Sequence, residues 1–123
     1  MTRTLAGNAL IFQNENGNTT KMIEEKKGNI WLIQLQGSLG NDCAYDIADE
    51  LFALISVNEG FVLDMNDTTY VSSTFAELMV QLQIRMEKTE FDTMPIKNMP
   101  KNVFQALKEL GCIYSLDYEL KET

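Results

Sequence analysis

The 123-residue sequence predicts an α/β fold: a mixed β-sheet with helices packed mainly on one side, preceded by an N-terminal β-hairpin. Two strand-like runs flank a turn-rich segment near the start. The apolar period then changes from that of a strand to that of a helix from Cys43. Beyond that point strands and helices alternate, which calls for a sheet with crossover connections.

Residues 9 to 12 (ALIF) and 19 to 24 (TTKMIE) read as the hairpin strands. Asn16-Gly17 between them is a tight-turn pair, because both residues tolerate positive φ. A loose terminus is expected over 1–7, the hairpin over 8–27 and the core of a single domain over 28–123. Lys27-Gly28-Asn29 makes a second turn. Ile30 to Gln36 follows as a strand closed by Gly37, and its first four residues are continuously apolar, as in strands covered on both faces.

From Cys43, the residues Ala44, Ile47, Ala48, Leu51, Leu54 and Ile55 recur at helical spacing, with Asp46, Asp49 and Glu50 off that stripe. Asn41 or Asp42 is the expected cap. Phe61 to Met65 is the next strand, ended by the turn-rich Asn66-Asp67-Thr68-Thr69. A second helix carries Ala76, Met79, Val80, Leu82 and Met86 on its apolar positions. Met94 and Ile96 mark a short strand, and Asn98 to Leu110 a third helix with Pro100 in its first turn and Gly111 beyond its end. Tyr114 to Leu120 can add a last strand.

Composition narrows the chemistry. Residues 1–37 carry four basic and three acidic side chains, whereas residues 38–123 carry six basic and fifteen acidic ones. Such a surface repels phosphate backbones, so no nucleic-acid partner is expected. Histidine is absent, which removes the commonest general base and the commonest metal ligand. Cys43 and Cys112 form no CxxC pair and read as buried, reduced thiols. No metal, no cofactor and no enzymatic activity are expected. Asp64 and Ser73 are the one conceivable catalytic pair, and Asp64 reads instead as a strand end. Apolar runs are too short for membrane insertion, and no signal peptide is evident, so a cytoplasmic location is expected.

The stretch Tyr70-Val71-Ser72-Ser73-Thr74-Phe75-Ala76-Glu77-Leu78 carries the functional question. Thr74 and Glu77 match a capping box, in which the threonine oxygen and the glutamate carboxylate satisfy each other's backbone N–H groups. On that reading the hydroxyls only close a helix. The same geometry also exposes a serine at the positive end of a helix dipole, where a phosphate would find free N–H donors.

The ordered run of Ile30 to Gly37, Phe61-Val62-Leu63-Asp64-Met65, Ser72-Ser73-Thr74-Phe75, and Val103, Leu107 and Leu110-Gly111 resembles the STAS domain. Anti-sigma factor antagonists and sulfate transporters share this module, and the resemblance covers about three-quarters of the chain, from Gly28 to Leu120. It implies a mixed sheet with helices on one side, and a protein that binds an anti-sigma factor or a kinase-like ATPase in a partner-switching pathway. By position it implies Ser73 as the phosphorylation target. Ser72 stands where the family usually has aspartate, and Phe75 where it usually has glycine. The expected docking surface is the front ends of the first two helices: Asp42 and Asp46 on one, Ser72, Ser73, Thr74 and Phe75 on the other.

Two further readings follow from the same resemblance: a STAS scaffold in a larger signalling assembly without a phosphate cycle, and a small-ligand or nucleotide sensor. No Gly-rich phosphate loop accompanies the latter. The N-terminal hairpin either covers a sheet edge or pairs with a second copy to make a homodimer.

Overall fold

The structure, a computed structural model, describes residues 2–14 and 17–122, and Thr2 in its backbone only. Asn16, half of the expected Asn16-Gly17 turn, lies outside the described residues. Within them the chain forms β1 (Thr2–Ala6), β2 (Ala9–Gln13), β3 (Thr19–Lys27), β4 (Ile30–Leu39), α1 (Asn41–Ser56), β5 (Gly60–Asp64), β6 (Thr68–Val71) and α2 (Ser73–Glu87). β7 (Pro95–Met99), α3 (Lys101–Glu109), a 3-10 turn (Ile113–Ser115) and β8 (Asp117–Leu120) complete it.

All the strands belong to one mixed sheet, as the sequence predicts. β1 to β4 pair antiparallel in chain order, and β4, β5, β7 and β8 then pair parallel. Because successive parallel strands are added in one direction, right-handed crossovers carry the connecting helices to the same face. Burial follows that geometry. Ile33, Leu35, Phe61, Leu63 and Ile96 are buried beneath the helices, whereas Leu32, Gln34, Val62 and Asp64 on the other face are only half-buried and Lys97 is exposed. One cluster unites these with Ala44, Ile47, Leu51, Phe75, Met79, Leu82, Val103 and Leu107.

Several boundaries differ from expectation. Residues 2–6 are not a loose terminus; they form β1, paired with β2 from Arg3↔Phe12 to Ala6↔Ala9. Gly37 does not end its strand. β4 continues to Leu39 through a register shift between Gly37 and Ser38. Gly37 has φ of 93°, and a Cβ there would strike the Thr19 carbonyl oxygen, so this position requires glycine. Thr68 and Thr69, read as turn, open β6, which takes the upper part of the β4 edge while β5 takes the lower part.

The third helix starts at Lys101, not Asn98. A residue before proline is pushed away from helical φ and ψ, so Met99 stays in β7 and Pro100 becomes the extended N-cap. Gly111, with φ of 76°, ends that helix by donating its N–H to the Lys108 carbonyl at 3.0 Å. The first helix is capped by neither Asn41 nor Asp42. Gly40 holds the cap position, and Asp42 lies in the first turn, where its charge suits the helix dipole.

Candidate functional site

The bend between β6 and α2 is built by the pairing of β6 with β4. Leu39 lies beside Val71, and the Ser72 N–H donates to the Leu39 carbonyl at 3.0 Å. One residue further along each strand a helix begins: α1 after Gly40, α2 after Ser72. Parallel pairing therefore sets two helix N-termini side by side at one end of the sheet, and the helices run on packed against each other.

The expected capping box is not the one used. Ser72, not Thr74, is the N-cap: its hydroxyl oxygen accepts the Phe75 N–H at 3.1 Å, and the Ala76 N–H donates to the Ser72 carbonyl at 2.9 Å. Two overlapping candidates, Ser72-x-x-Phe75 and Thr74-x-x-Glu77, compete for the start of this helix. The first wins because Val71 and Phe75 must both point into the core. Starting two residues earlier moves Glu77 to the fifth helical position, exposed and one turn above Ser73. Its carboxylate acts instead toward Cys112, whose thiol pKa is raised by burial first and by Glu77 second.

The expected docking set accordingly divides. Ser73 is exposed and Thr74 half-buried at the first two helical positions, where their own N–H groups have no partner within the helix. Asp42 is exposed and Asp46 half-buried on α1. Ser72 (4 % exposed) and Phe75 (fully buried) face inward and cannot form a contact surface. Phe75 fills core volume where the STAS pattern has no side chain; the bulky ring anchors α2 and leaves the outward face of the bend open.

Two aromatic residues outside the expected docking set flank this region. Tyr45 is 63 % exposed on α1 between Asp42 and Asp49, and Tyr70 is 53 % exposed on β6, on the face opposite Val71. The signal was available in Tyr45, which breaks the polar face of an otherwise regular amphipathic helix.

Asp64, at the end of β5, is committed to structure. One of its oxygens accepts the Asn66 N–H at 3.0 Å and the Asn98 side-chain amide at 3.2 Å, tying β5 to β7. Cys43 lies buried at the start of α1, its thiol pKa raised chiefly by desolvation, whereas Cys112, expected to be buried, is only half-buried. No helix among the described residues is long and apolar enough to cross a membrane.

No protein-family model matches the sequence, and no curated protein matches it significantly. Solved structures do. An anti-sigma factor antagonist from Mycobacterium paratuberculosis superposes with a TM-score of 0.65 over 91 % of this chain and 92 % of that one, at 12 % identity. The fold is STAS-like. The match spans nearly the whole of both chains.

Proposed function

We propose that this chain is a non-catalytic, cytoplasmic interaction domain that acts as an anti-sigma factor antagonist. It binds an anti-sigma factor or kinase-like ATPase through the adjoining starts of α1 and α2, and phosphorylation of Ser73 releases that partner. The observation that carries this reading is the placement of Ser73: it is the exposed first residue of α2, flanked by the buried Ser72. A phosphate on Ser73 adds about two negative charges on the helix face that also carries Glu77, and it repels any acidic partner group docked there.

The test is capture of partners from the native cell by the wild-type chain and by Ser73→Asp, with the captured proteins identified by mass spectrometry. The reading requires a kinase-like ATPase or anti-sigma factor bound to the wild type and depleted with the variant. Equal recovery of the same partner by both removes Ser73 from the interface.

A second reading is a scaffold of the same fold with no phosphate cycle. It is favoured by the departures at Ser72 and Phe75, both used to build α2. Incubation with the captured kinase and intact-mass measurement separates the two, since a scaffold gains no phosphate.

A further inference from the structure

The sheet has two outer strands, and they are protected unequally. β8 carries Asp117 and Glu119 among its four residues, a charged edge of the kind that discourages pairing. β1, TRTLA, carries one charge, Arg3. That charge is folded back across the sheet, its guanidinium 2.6 Å from Glu50 of α1, so the edge itself presents none uncompensated. Leu5 beside it is 75 % exposed. Arg3, Leu5, Leu10, Glu24 and Glu50 line a cleft of about 520 Å³ where the sheet extends past the cover of α1.

We propose that two copies of this chain pair through the outer edge of β1, antiparallel about a two-fold axis at Thr4. Charge distribution selects a second copy as the occupant. Residues 38–123 carry nine more acidic than basic side chains and repel a copy of themselves, whereas residues 1–37 carry one more basic than acidic. The N-terminal strands are thus the part of the surface that two copies can bring together without repulsion.

The five-residue strand is also self-complementary. Centred on Thr4, an antiparallel pair sets Thr4 opposite the partner's Thr4 and Arg3 opposite the partner's Leu5, twice. Arg3 and Leu5 share the face turned toward α1, so each leucine covers the other copy's arginine stem while the guanidinium stays on Glu50. Pairing along the edge also gives the unpaired backbone groups of β1 their partners. This interface is separate from Ser73 and stands whether or not that residue is phosphorylated.

Sedimentation velocity of the full chain across a concentration series tests it, with Leu5→Lys, Thr4→Cys and Glu119→Cys as variants. The wild type is expected to rise from 14.0 kDa toward twice that mass. Leu5→Lys should weaken the association about tenfold or more at an unchanged circular dichroism spectrum, because it restores a charge to the edge. Under mild oxidation Thr4→Cys should form an intermolecular disulfide, since directly opposed residues of an antiparallel pair lie about 4.5–5.5 Å apart. Glu119→Cys, on the other edge, should not. If Leu5→Lys fails to fold, the two cysteine variants decide the matter alone. A wild type that keeps its monomer mass throughout overturns the proposal. So does a dimer that survives Leu5→Lys without cross-linking at Thr4, or that cross-links as readily at Glu119.

Discussion

The Ser72 hydroxyl accepts the Phe75 N–H at 3.1 Å, and both residues are buried, so the cap of α2 is part of the core as well as part of the helix end. Removing the oxygen leaves an inward-facing N–H without its acceptor. Ser72→Ala is expected to cost about 1 kcal/mol, at the common value for a lost N-cap. Urea unfolding should show a lower midpoint at an unchanged slope. No loss of stability would mean that Thr74 takes over as the cap.

Ser73 responds in the opposite direction. At the first helical position, Ser73→Asp places a negative charge against the positive end of α2, which is expected to add about 0.3–1 kcal/mol of stability. Partner binding should fall over the same substitution. Paired unfolding and pull-down measurements distinguish a variant that is well folded but unable to bind from one that is merely damaged.

Phe75→Ala empties a fully buried ring position between α2 and the sheet. A loss of about 3–5 kcal/mol is expected, with the thermal midpoint falling by many degrees. Phe75→Leu should cost much less. If both variants keep wild-type stability, the ring is not a core anchor.

Stability should depend on pH through two glutamates acting in opposite senses. Glu24 lies half-buried near Arg3 and Glu50, and desolvation, with repulsion from Glu50 second, raises its pKa above the ordinary 4.5. The folded carboxyl holds its proton more tightly than the unfolded one, so this contribution is full below 4.5 and is lost as pH rises through the folded value. Glu24→Gln should therefore stabilise the chain at pH 7 and lose that advantage at pH 4. Glu59 behaves inversely: hydrogen bonds from Lys26 at 2.7 Å and Trp31 at 2.6 Å lower its pKa. Its contribution is present at neutral pH and lost as pH falls through the folded value. Denaturation midpoints of Glu24→Gln and Glu59→Gln at both pH values check the two signs.

The elements that the sequence displays clearly are those whose burial is local and periodic. α1 and β5 show their apolar spacing without reference to the rest of the chain, and the STAS resemblance supplies their order. β6 is hidden because Thr-Thr-Tyr-Val has no strong apolar pattern; its strand character comes from β4 extending past Gly37 to meet it. β1 is hidden for a similar reason, being short, exposed and dependent on β2. At the site, the sequence locates the bend and its hydroxyls but not which one faces inward. That is settled by long-range packing of Val71 and Phe75, which four-residue spacing cannot register.

Sharing one flank of β4 between β5 and β6 also has a bearing on how such a protein changes over time. The segment 65–67 bridges the two, and the distance from the Gly37 kink to the start of α2 is measured along β4, not along that bridge. The outward-facing Thr69 and Tyr70 of β6 are thus free to change while Val71 and the central rungs of the sheet keep their register. A ruler laid beside that end lets its outward side chains vary and leaves the frame where it was.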